Sequence, residues 1–148
     1  MTDSTSREEL LIVRRVIPVP RDRVFDAWLD AKSLVMWMRP GNVTNAVAEV
    51  DPRIGGKFRI VMSHAEDVEH TGEYLAIERP RLLSFTWRSV HTDLLPTVVT
   101  IEFLERAEGT EVILTHRRLP PSQLDNHRGG WTDILRLLGE RLAPGEMG

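Results

Sequence analysis

The chain of 148 residues contains no cysteine. That absence removes disulfides, thiolate metal sites and a cysteine nucleophile together. An excess of one charge is missing too: 19 lysines and arginines stand against 22 aspartates and glutamates, for a net charge of −3 and a pI of about 6.0, with the signs interspersed. Such a balance argues against a general nucleic-acid or anionic-membrane binder. No apolar run approaches the ~18 residues of a membrane span. Residues 1–9 are polar and lack a signal peptide's apolar core, so a cytoplasmic location is the expectation. Repeats and low-complexity tracts are absent. One domain over residues 1–148 is long enough to bury a substantial core, with only residues 1–8 and 144–148 expected to fray. There is no H-E-x-x-H, no G-x-S-x-G elbow and no phosphate-cradling glycine loop; Gly55-Gly56 lacks the spacing and the lysine–hydroxyl pair of one. No metal and no cofactor is therefore expected.

What is present is periodic. Residues 122–142 carry Leu124, Trp131, Ile134, Leu135, Leu138 and Leu142, at steps of mostly three and four after Trp131, which predicts a helix with one apolar face. Pro120 and Pro121 end what precedes it, Ser122 is placed as N-cap with Asp125 three residues on, and Pro144-Gly145 closes it. Gly129 and Gly130 interrupt the pattern, each costing on the order of 1 kcal/mol relative to alanine. Two accounts stand: the helix starts only near Trp131, or glycine is there for close approach or cavity space.

Upstream, residues 9–19 form a β-rich run stopped by Pro18 and Pro20. Residues 20–31 switch to helical spacing through Val24, Phe25, Trp28 and Leu29, and a second short helix over 33–38 carries Leu34, Trp37 and Met38. From 42 to 118 strands and turns dominate. Phe58, Ile60 and Met62 alternate with Arg59, Val61 and Ser63. The same period of two runs through Leu83, Phe85 and Trp87, through Val99, Ile101 and Phe103, and through Val112, Leu114 and His116. Short connections, including a tight Glu108-Gly109 hairpin, imply adjacent antiparallel strands. The order predicts an α+β domain: strand, two helices, a meander of five or six strands, then a long helix that the curved sheet wraps around. Phe58, Ile60, Phe85, Trp87, Val99, Ile101, Val112 and Leu114 are expected on its concave face.

Particular words accompany that order: P-R-D-R-V-F-D-A-W at 20–28, M-W-M at 36–38, D-P-R-I-G-G-K-F-R at 51–59, T-G-E-Y at 71–74, R-L-L-S-F-T-W at 81–87, G-T-E-V-I-L-T-H at 109–116, and G-W at 130–131 followed by L-x-x-L. As an ordered set they resemble the START-like (SRPBCC) superfamily, and within it the activator-of-Hsp90-ATPase homologue branch. The resemblance implies a helix-grip fold that can hold an apolar cavity between sheet and C-terminal helix. A fold implies no reaction by itself.

Three functions follow as expectations. The leading one is a non-catalytic module holding a small hydrophobic molecule, with Trp37, Met38, Phe58, Ile60, Met62, Tyr74, Phe85, Trp87, Val99, Ile101, His116, Trp131 and Leu135 lining the cavity; the alternative for each is solid core. Trp131 beside two glycines suits a cavity wall, whereas Trp28 is expected to be ordinary core. The second is a chaperone-interacting protein, suggested by the branch, although its Hsp90 activators carry a separate N-terminal domain for which this chain has no room. A homodimer is the other protein partner considered. The third is an enzyme similar to the superfamily's cyclases and aromatases, with His116 or a buried carboxylate as base. Convergent polar groups in the cavity would favour it. His116 also has a plain reading as a hydrogen-bonded strand-end histidine. His64 and His70 are expected at a turn, within reach of Glu66 or Glu69, while His91 and His127 have no evident partner. Glu49, Asp51, Glu69 and Glu73 read as solvated strand-face charges.

Overall fold

A computed structural model describes residues 10–143, so the expected fraying of 1–8 and 144–148 lies outside the described residues. The period-two segments form seven strands: β1 (Leu10–Ile17), β2 (Asn45–Val50), β3 (Lys57–Ser63), β4 (Asp67–Glu78), β5 (Leu82–Trp87), β6 (Thr97–Arg106) and β7 (Gly109–Arg117). They make one antiparallel sheet in the order β1-β7-β6-β5-β4-β3-β2. Every step from β2 to β7 is a meander. Only β1 is joined from a distance, which leaves room for two helices, α1 (Arg21–Ala27) and α2 (Ala31–Trp37), before the sheet resumes. The eight residues expected on the concave face are all buried, so the phase of each strand is as expected.

The long helix α3 (Leu124–Leu142) turns Trp131, Ile134, Leu135 and Leu138 into that face and runs beside β1 and α2. This is the helix-grip arrangement. Gly72 on β4 lets Phe58 lie flat against the strand, since a Cβ there would collide with the Thr86 carbonyl and the Phe58 ring.

Two helix boundaries differ from the expectation. The first helix stops at Ala27, and the second begins at Ala31, because the Asp30 carboxylate accepts the Lys32 N–H (3.0 Å) and caps a new helix there. At the other end, Pro121–Gln123 forms a 3-10 turn, so Ser122 is not the N-cap and α3 starts at Leu124 without a side-chain cap. Gly129 and Gly130 therefore lie inside a continuous helix. The late-start account fails, and space is the account that remains.

Candidate functional site

The middle of the sheet is filled. Phe58 meets Phe85 edge-to-face at 5.3 Å and Tyr74 at 5.4 Å between ring centroids, while Trp28 meets Trp37 at 4.7 Å. Trp37 is fully buried, its Nε1–H donating to Ser33 Oγ (2.9 Å). What space remains there is a void of about 10 Å³, roughly one water in size, bordered by Met38, Phe58, Ile60, Tyr74, Phe85, Trp87 and Trp28 among others. Trp28 and Trp87 carry the two buried side-chain donors that lack a partner among the described residues. Both border that void.

The larger space lies at one end of the sheet, a cavity of about 570 Å³. Its floor is Met62, His70 and Trp87 from the sheet with Trp131 and Ile134 from α3, all buried. The Trp87 and Trp131 rings stand 5.0 Å apart at 54°, and the His70 ring lies 4.8 Å from Trp87. One side is the loop leading into β2, Pro40 to Val43, held to α3 by the Gly41 N–H donating to Asp133 Oδ2 (2.9 Å). The mouth carries His64 and Glu66 from the β3–β4 turn, His91 from the loop after β5, and Asp125, Asn126 and His127 from the first turn of α3. Gly129 and Gly130 border it as well; a Cβ at Gly129 would meet nothing within 4 Å, and one at Gly130 only Pro40 Cβ at 3.9 Å.

Of the residues expected to line a cavity, Met62, Trp87 and Trp131 line this one. Met38, Phe58, Ile60, Tyr74 and Phe85 border only the small void, because their rings and side chains fill the sheet's centre. Trp37, Val99, Ile101, His116 and Leu135 are fully buried and border neither. Four of the five histidines do line the cavity, and His116 is the one that does not.

His116 sits directly behind the wall. An indole N–H only donates, so the bond from Trp131 Nε1 to His116 Nδ1 (2.9 Å) fixes Nδ1 as acceptor. The proton is then on Nε2 and is given to Thr97 Oγ1 (2.7 Å), whose own hydrogen goes to the Trp87 carbonyl (2.6 Å). Both nitrogens are occupied. Burial holds the imidazole neutral, pushing its pKa down to about 3, with the neighbouring His127 adding to the effect. Such a histidine orients Trp131 and has no lone pair to offer a substrate.

His70 corrects an expectation outright: it is not turn-exposed but buried on the concave face, its Nδ1 3.4 Å from the Ile60 carbonyl. Burial pushes its pKa down to about 4. It does not pair with Glu69, which binds Arg59 on the outer face. The signal was available, since His70 is in phase with Val68 and Tyr74 along β4. His127 does have a partner: its Nδ1 is 3.1 Å from the Gln123 carbonyl, one helical turn back. It precedes Trp131 by four residues and so shares its helix face. Burial lowers its pKa also. Among the described residues no group of three or more histidine and carboxylate side chains is arranged to hold a metal ion.

The family model described as activator of Hsp90 ATPase homolog 1-like protein matches residues 18–143. The chain belongs to that family. No curated protein matches it by sequence. Solved structures do: a Chromobacterium violaceum protein is 23% identical with a TM-score of 0.81, covering 91% of this chain and 97% of its own. A Nitrosomonas europaea protein is 22% identical with a TM-score of 0.78, over 94% and 97% of the two chains. The AHSA1-like protein of Aeromonas hydrophila is 21% identical, again with a TM-score of 0.78, over 95% and 96%. At such identities these likenesses establish the family's fold. Among the described residues no helix is long and apolar enough to cross a membrane.

Proposed function

We propose that this family member binds a small, largely hydrophobic molecule in the cavity at the end of its sheet. The observation that carries the reading is a space of about 570 Å³ walled by Trp87 and Trp131 and left open along a helix by two adjacent glycines. That volume is in the range of small-ligand sites, and the lining has their composition, an apolar floor with a few polar groups at the mouth. The test is tryptophan fluorescence during titration with a panel of hydrophobic ligands, comparing the parent with Trp131→Phe and Trp28→Phe. A saturable change should be largely lost in Trp131→Phe and kept in Trp28→Phe, whose ring borders only the small void. No saturable response across the panel would overturn the reading.

One observation favours an enzymatic second reading. The mouth is polar, and the backbone bond at His127 Nδ1 leaves its Nε2 as a lone-pair acceptor on a ring that lines the cavity. In a cyclase-like proton transfer the base would be His127, since His116 has both nitrogens engaged. Turnover of a poly-ketone analogue that is lost in His127→Asn, with binding retained, would support it. Hsp90-type chaperone binding stays a proposal resting on the family's description. Unchanged ATPase rates of a purified Hsp90 on adding stoichiometric protein would count against it.

A further inference from the structure

The polar groups at the cavity mouth are not a neutral mixture. Glu66, Asp125 and Asp133 line it, and none of the 19 lysines and arginines does so among the described residues. Asp133 is partly spent, accepting the Gly41 N–H and lying 3.7 Å from Arg136. Glu66 and Asp125 have no ion-pair or side-chain hydrogen-bond partner among the described residues, and both are exposed at the rim. Deeper in, His127 donates from Nδ1 to the Gln123 carbonyl and therefore presents Nε2 as an acceptor. His70 points no charge at the site, since burial keeps it neutral. Below these acceptors lie the Trp87 and Trp131 indole rings, and an indole face attracts a cation electrostatically. His64 and His91, the remaining titratable groups of the lining, sit at the exposed rim.

Acceptors and negative charge at the mouth, over an aromatic floor, define what the polar end of a ligand must be. We infer that the cavity selects flat hydrophobic molecules whose polar group donates hydrogen bonds, an amine or ammonium first and a hydroxyl second, and discriminates against carboxylates. The inference rests on the ligand-binding reading above and narrows its ligand class. A carboxylate entering the same mouth meets two unpaired like charges and no guanidinium or ammonium to offset them.

The experiment uses the full chain and three probes of one shape, 2-naphthylmethylammonium, 2-naphthylmethanol and 2-naphthoate, titrated calorimetrically at pH 7.5 in low salt. The ammonium should bind about tenfold more tightly than the carboxylate, with the alcohol between them. Raising the salt to about 0.5 M should shrink that ratio to roughly twofold. The double variant Glu66→Gln/Asp125→Asn, at exposed positions without an ion-pair or side-chain hydrogen-bond partner among the described residues, should shrink it similarly in low salt. Circular dichroism verifies that it is folded. Carboxylate binding equal to or tighter than ammonium binding overturns the inference and leaves the cavity reading standing, provided the alcohol binds. A preference that survives unchanged in the double variant overturns its assignment to Glu66 and Asp125. Failure of all three probes overturns the ligand-binding reading and this one with it.

Discussion

Replacing Gly129 and Gly130 by alanine separates a packing role from a space-making role, because the two predict opposite signs. Both glycines are interior to α3, where alanine is favoured by about 1 kcal/mol per residue through reduced chain entropy. The usual offset is a clash, and none is present. An added Cβ at Gly129 meets nothing within 4 Å, and at Gly130 the nearest atom is Pro40 Cβ at 3.9 Å, an ordinary contact. Neither glycine has the positive φ that would strain alanine. Gly129→Ala and Gly130→Ala should therefore each stabilise the protein by roughly 0.5–1 kcal/mol, and the double variant by up to about 2 kcal/mol. For a domain of this size that raises Tm by about 2–4 °C per kcal/mol.

The same change should weaken ligand binding, since both positions border the cavity. Gly129→Leu extends the argument: its side chain fills cavity volume, so affinity for a hydrophobic probe should fall at least about tenfold while the fold is kept. Urea titration and calorimetric ligand titration read the two effects on the same preparations. Destabilisation by the alanines would show that the backbone at this point is packed more tightly than the geometry indicates. Undiminished affinity in Gly129→Leu would show that the ligand lies elsewhere. Stabilised variants with impaired binding are the result that the space-making role requires.

Two further predictions concern stability. His70 and His116 have folded pKa values pushed down to about 4 and about 3 by burial, so below their unfolded value of ~6.5 the unfolded chain binds more protons. Stability should be full above about pH 6.5 and fall toward pH 4 by about 1.4 kcal/mol per pH unit for each group. Urea unfolding at pH 7.5, 5.5 and 4.5 measures it, and an unfolding free energy unchanged between pH 7.5 and 4.5 would refute the burial argument. Gly72→Ala should destabilise by about 1–3 kcal/mol, because its Cβ collides with the Thr86 backbone carbonyl and cannot be accommodated by a side-chain rotation alone. A Tm within 1 °C of the parent, roughly the precision of a thermal melt, would contradict that.

The fold was legible because its signal is local and repeated. Alternation along β3, β5, β6 and β7 put Phe58, Phe85, Ile101 and Leu114 on one face, and a single error of phase would have shown as exposure. The site was less legible because the property that makes it, unfilled volume, is not local. Phe85 and Trp87 are two residues apart on the same face of β5, yet Phe85 is hemmed in by Phe58 and Tyr74 while Trp87 also reaches the open end. Nothing in either residue's neighbourhood along the chain distinguishes them. The polar mouth draws on segments from Gly41 to Asp133, and its contributors look like ordinary surface residues until the sheet closes. His70 and His127 were within reach: one shares the β4 alternation and the other the α3 stripe, and a histidine in phase with apolar neighbours is placed as they are.

The location of the cavity follows from how its two tryptophans are tied. Trp131 on α3 donates to His116 on β7, His116 to Thr97 on β6, and Thr97 to the carbonyl of Trp87 on β5. Each donor has one acceptor and each acceptor one donor, so the chain of bonds runs in a single direction with no ambiguity of tautomer or rotor. It lies in the buried interior, where a satisfied polar chain is rigid and a broken one leaves buried groups unpaired at about 1–3 kcal/mol apiece. The Trp131 indole is thus tied by hydrogen bonds across three strands to the backbone of Trp87, whose own ring it meets at 5.0 Å. The opposite wall, residues 40–43, is tied to α3 by one exposed bond, Gly41 to Asp133, and to β3 just beyond it by Thr44 donating to the Ser63 carbonyl. A ligand that needs more room should therefore displace the loop around Gly41 before it parts Trp87 from Trp131.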